Sequence, residues 1–161
     1  MFLAILFLAT AGRPPTGAAS DGRPRPRFAF VLSEEHGFRV DSRTGMVTKD
    51  MVIGRDTTSA LRLSRPDIRA IEDKCRKWQL MRVREPHPRF VGPTGSQDPA
   101  FWWTLEVWMD GAHRRFLWST GAIPTETAEW HALFAVKNKI LNLVLNRPEY
   151  LALPFPRGGY L

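Results

Sequence analysis

Several ingredients of familiar chemistries are missing from this 161-residue sequence, and each absence narrows the reading. There is a single cysteine, Cys75, so neither an intrachain disulfide nor a thiolate metal site can be assembled. The four histidines, His36, His87, His113 and His131, show no H-E-x-x-H or other paired ligand spacing. No G-x-S-x-G elbow is present, and the glycines of "GPTGS" at 92–96 lack the Lys-Ser/Thr ending of a phosphate-binding loop. No apolar run reaches the roughly 20 residues that cross a bilayer. Acidic side chains are outnumbered, 16 against 23 basic ones, which gives a net charge of +7. The sequence therefore assigns no catalytic residue, no cofactor and no metal.

What is present begins with an address. Residues 1–11, "MFLAILFLATA", form a signal-like apolar segment with an A-x-A pattern at Ala9, Thr10 and Ala11, although the usual positive n-region is missing. Residues 12–27 are rich in Pro, Gly and Arg and read as a disordered linker. Residues 28–161 then supply one domain, large enough to bury a core without metals or disulfides. The expected location is exported, periplasmic or extracellular, with membrane association through an uncleaved N-terminus as a variant of the same reading.

Within the domain, "RFAFVLS" has strand composition, and "HGFRVDS", "RTGMVTKDMVI" and "TTSALRLS" continue as a meander with Gly37 and Gly45 at turns. "SRPDIRAIEDKCRKWQL" reads as a helix with Ser64 as N-cap and Ile68, Ile71, Cys75 and Trp78 on one stripe. Cys75 on that stripe is expected to be a small buried hydrophobe. "LMRVRE" suggests a short strand before the loop at 86–99. "PTETAEWHALFAVKNKILNLVLN" is the second helix, with Trp130, Leu133, Phe134, Val136, Ile140 and Val144 inward, and Pro148 ends it before an extended tail.

Four of the six tryptophans fall in "FWWTLEVWMDGAHRRFLWST" at 101–120. Asp110-Gly111 between alternating segments predicts a hairpin with a two-residue loop. That loop sets Met109 opposite Ala112, Val107 opposite Arg114, Leu105 opposite Phe116 and Trp103 opposite Trp118 on the core side. The other side sets Trp108 against His113, Glu106 against Arg115 and Thr104 against Leu117, with a cross-strand ion pair expected between Glu106 and Arg115. Trp102 and Trp108 are left as surface aromatics, and with Arg114 and Arg115 they make the candidate binding residues. The fold expected is α+β: an antiparallel sheet of about five or six strands with two helices packed on one face.

The motifs "TKDM", "L-x-L-S" at the strand-to-helix junction and the terminal "PEY-x-x-LP" resemble those of a loose, uncharacterised group of small bacterial exported proteins and lipoproteins. The resemblance spans 28–161 and implies export and a single α+β domain, but no activity. The anchoring cysteine of the lipoprotein members is absent here.

Three functions fit these features. The first is a non-enzymatic exported binding or structural module whose partner is a protein or envelope component. The second is a polyanion-binding envelope protein, drawn from the +7 charge with Trp102, Trp108, Arg114 and Arg115 near one hairpin. The third is a hydrolase with its site under the 86–99 loop and His87, His36 or His113 as base.

Overall fold

The computed structural model describes residues 27–52, 55–84, 102–119 and 127–155. The signal-like segment, most of the linker, the 86–99 loop with His87, the start proposed for the second helix at Pro124 and the last residues of the tail lie outside them.

Four short strands, β1 (Phe28–Glu34), β2 (Arg39–Asp41), β3 (Met46–Lys49) and β4 (Thr57–Ala60), precede helix α1 (Arg65–Lys77). The hairpin β5 (Trp102–Met109) and β6 (Ala112–Ser119) follows, then α2 (Ala128–Leu145) and a one-turn α3 (Pro148–Leu151). The six strands form one antiparallel sheet in the order β4-β3-β2-β1-β5-β6. The meander thus grows from one edge of β1, and the chain returns after α1 to lay the hairpin on the other.

This placement makes β1 a central strand, which explains its composition. Phe28, Phe30 and Leu32 are buried on one face, and Ala29 and Val31 are buried on the other. The ladder of β1 with β2 ends at Asp41, and a serine side chain extends it. The Ser42 Oγ accepts a hydrogen bond from the Phe30 N–H at 2.8 Å and donates one to the Phe30 carbonyl at 3.0 Å. A buried backbone pair is satisfied where the strand has run out.

The hairpin has the anticipated register at every pair from Trp102–Ser119 to Met109–Ala112. Asp110 and Gly111 both take positive φ, 52° and 83°, the backbone of the tight turn whose twist matches that of the strands. Ion pairing differs from expectation. The Glu106 carboxylate lies 3.3 Å from His113 Nε2 on the diagonal, instead of meeting Arg115. The imidazole already stacked on Trp108 offers a fixed partner, whereas Arg115 is a long exposed side chain with more entropy to lose.

One cluster collects the core. It joins Phe30, Leu32, Val40, Val47, Leu105, Val107, Phe116 and Trp118 of the sheet with Ile71 and Cys75 of α1 and Leu133, Val136, Ile140 and Val144 of α2. Fully burying such side chains is worth about 1.5–3 kcal/mol each. Cys75 is fully buried, and burial pushes its thiol up to about 12. Helix α1 opens with a reciprocal capping box: the Ser64 Oγ accepts from the Asp67 N–H at 3.3 Å, and the Asp67 carboxylate accepts from the Ser64 N–H at 3.0 Å. Asp67 also pairs with Arg147, tying the start of α1 to the α2–α3 junction.

Two local readings are corrected. Leu80–Arg82 forms a 3₁₀ turn and not a strand, because Gln79 enters the left-handed region at φ 47° and folds the chain back under α1. Pro148 stops α2 as expected but also begins α3, since proline suits a first helical turn. Among the described residues no helix is long and apolar enough to cross a membrane.

Candidate functional site

The two-residue period of β1 sends Phe28, Phe30 and Leu32 inward, and the next position on that side is Glu34, opposite Trp103. A carboxylate is therefore carried to the rim of the core. From α2 comes a lysine to match. Lys137 lies four residues after Leu133 and three before Ile140, on the buried stripe, and it is only 7% exposed. Its ammonium sits 4.7 Å from the Trp103 ring centroid and 4.5 Å from that of Phe134. Burial lowers the Lys137 pKa, and the charge of Glu34 only partly restores it. Burial likewise raises the Glu34 carboxyl, against the pull of His36 and Lys137.

Around this pair stands an aromatic wall. Phe38 meets Trp103 at 6.0 Å and Tyr150 at 6.3 Å between ring centroids. The Lys49 ammonium lies 5.0 Å from the Tyr150 ring and 5.3 Å from that of Phe155. Burial, then the nearby Glu34 charge, raises the Tyr150 hydroxyl pKa.

On the sheet's second face, at the same end, the strands leave a cleft of about 370 Å³ lined by Ser33, Glu34, Glu35, Trp102, Thr104 and Leu117. Register builds it: Ser33 pairs with Thr104, Thr104 with Leu117, and the Glu35 N–H donates to the Trp102 carbonyl at 2.9 Å, one step past the end of β1. The lining offers an indole, two hydroxyls, the Glu35 carboxylate and the exposed Leu117, while Glu34 turns its own carboxylate to the core face. A pocket of a few hundred Å³ with an aromatic wall and a few polar groups is the ordinary form of a small-ligand site.

Farther along the same face, Trp108 is already occupied. The Arg43 guanidinium lies 4.3 Å from the Trp108 ring centroid, coming from the β1 side, and the His113 ring stacks on it at 4.4 Å from the β6 side. Arg43 is itself fixed by Asp41, whose carboxylate accepts from its guanidinium at 3.0 Å and from its backbone N–H at 2.9 Å. Burial would raise the Asp41 carboxyl, but these bonds and that from the Thr44 N–H outweigh it and hold its pKa below the ordinary value.

The four candidate binding residues are therefore not one patch. Trp102, Trp108 and Arg115 share the second face by alternation, with Trp102 and Trp108 six residues apart, roughly 20 Å along the strand. Arg114 points to the other face, donates to the Met81 carbonyl at 2.9 Å and lies over Phe116 at 5.0 Å. Of the histidines invoked as bases, His113 is stacked on Trp108, and His36 belongs to the β1–β2 turn. Among the described residues no three His, Cys, Asp or Glu side chains form a group able to hold a metal ion.

Lys137 was not singled out from sequence as a functional residue. The signal for Lys137 was there: a lysine at helical spacing inside an apolar stripe. No family model and no curated protein matches this chain.

Proposed function

We propose that the protein is an exported, non-enzymatic binding module, with the cleft bounded by Trp102, Ser33, Glu35, Thr104 and Leu117 as its recognition site. The observation that carries this reading is the cleft's lining, an aromatic plane beside hydroxyls and a carboxylate, on a sheet end stiffened from behind by the Glu34, Lys137 and Trp103 cluster. The apolar segment at 1–11 supports export.

A thermal-shift screen of the purified protein against envelope polymers, small polar solutes and cationic and anionic compounds tests the reading. A shift that disappears in Trp102→Leu is expected. No shift with any of them, together with turnover of a generic ester or glycoside, overturns it.

A second reading, polyanion binding, draws on Arg39, Arg43 and Arg115 sharing the second face. Under it, retention on heparin falls steeply with salt. It is less well supported, because Arg43 is engaged with Asp41 and Trp108, Arg39 with Asp41, and Arg114 with Met81.

A further inference from the structure

We infer that the cleft takes a small organic cation, an alkylammonium or trimethylammonium head, with Trp102 as its aromatic platform and Glu35 as its counter-charge. This rests on the binding reading above and names the ligand class for the same site.

The first observation is an inversion of charge. The chain carries +7, yet the cleft's one charged side chain among the described residues is the Glu35 carboxylate, Glu34 turning to Lys137 on the other face. An arginine and a lysine side chain of neighbouring elements are committed elsewhere. Arg39, next to Ser33 across the β1–β2 ladder, turns to Asp41 at 3.5 Å, and Lys137 lies on the other side of the sheet over Trp103 and Phe134. Among the described residues Glu35 closes no ion pair. Glu35 is exposed at the cleft's rim, and a carboxylate there with no counter-ion from the described residues attracts a ligand that brings one.

The second observation comes from two other tryptophans of the hairpin, Trp118 being buried in the core. Trp103 has the Lys137 ammonium on its ring and Trp108 has the Arg43 guanidinium on its ring. Trp102, between hydroxyl-bearing neighbours, has no cation and no second ring against it among the described residues, and it faces the cleft instead. Indole is the strongest of the aromatic cation acceptors, and enclosure from water strengthens the attraction.

Size and polarity agree. The cleft's 370 Å³ equals the liquid volume of roughly a dozen waters, which suits one compact head. The Ser33 and Thr104 hydroxyls accept hydrogen bonds from an alkylammonium. An anion would meet the Glu35 carboxylate, and a neutral sugar would stack on Trp102 but leave Glu35 without its counter-charge.

The test titrates the full chain with tetramethylammonium, propylammonium, methyl glucoside and acetate, following indole fluorescence and the indole N–H resonances. Saturable binding of the two cations is expected, weakening as salt rises, with affinity down about tenfold in Glu35→Gln and lost in Trp102→Leu. Melting temperatures report whether the variants fold, and if Trp102→Leu does not, the exposed-site variant Glu35→Gln decides. Equal or tighter binding of methyl glucoside or acetate, unaffected by Glu35→Gln, overturns the cation assignment and leaves the binding reading standing. Binding of none of the four overturns the assignment too, and a blank in the wider thermal-shift screen together with turnover of a generic ester or glycoside then removes the binding reading with it.

Discussion

Lys137 sets its ammonium 4.7 Å from the centroid of the Trp103 ring, inside a position that is otherwise part of the apolar stripe of α2. A desolvated cation–π contact is worth about 2 kcal/mol, and Phe134 supplies a second ring. The effective penalty for burying an ammonium is several kcal/mol. The rings therefore soften the cost without cancelling it, and the Lys137 pKa falls.

That imbalance is visible in the pH dependence of stability. With its folded pKa below the ordinary 10.5, Lys137 binds fewer protons folded than unfolded inside that window. Its penalty is full below the folded pKa and disappears as pH rises towards 10.5. Glu34 behaves in the opposite sense: its folded pKa lies above 4.5, so its penalty is present above that folded value and is relieved as pH falls towards 4.5. Urea-unfolding free energies across pH should thus show an alkaline rise that Lys137→Met removes and a rise on mild acidification that Glu34→Gln removes. An unchanged profile in Lys137→Met would contradict the assignment.

Ser42→Ala removes the hydroxyl that accepts from the Phe30 N–H, while the Phe30 carbonyl keeps its bond from the Ser42 backbone N–H at 3.0 Å. Phe30 is fully buried, so the orphaned N–H should cost about 1–3 kcal/mol. Chemical denaturation measures the loss, and amide exchange at Phe30 should accelerate with it. A loss under a few tenths of a kcal/mol would mean that water replaces the hydroxyl.

Two glycines with positive φ separate backbone strain from steric conflict. At Gly111, φ +83°, an added Cβ meets nothing, so Gly111→Ala should cost only the left-handed strain, about 1–2 kcal/mol. At Gly37, φ +115°, the same Cβ collides with the Asp56 carboxylate. Gly37→Ala should cost more than Gly111→Ala, and Asp56→Ala should recover part of the difference in a double-mutant cycle. Equal costs at the two sites would show that the Asp56 side chain simply swings away.

Cys75 combines full burial with a thiol pushed up to about 12. Ellman's reagent at neutral pH should leave it unmodified in the folded protein and react stoichiometrically once urea unfolds the chain. Rapid labelling of the native state would place the thiol at a surface and remove it from the core. Cys75→Ala, which keeps the site apolar, should be better tolerated than Cys75→Asp.

The local grammar of this chain was written in the sequence. Asp110-Gly111 fixed the hairpin and, through its two-residue loop, the partner of every residue from Trp102 to Ser119, because a strand's period leaves no freedom once the turn is set. Ser64 and Asp67 marked the start of α1, and the stripe of Ile71 and Cys75 marked its buried side. What only the tertiary structure decided was which groups from distant segments share one place. That β5 lies beside β1 made β1 central and brought Ser33 and Glu35 against Trp102 and Thr104. The approach of α2 put Lys137 on Trp103, and the β2–β3 turn delivered Arg43 to Trp108. Local spacing encodes which way a side chain points, whereas the neighbour it meets depends on long-range strand order and helix docking, which no short window of sequence contains.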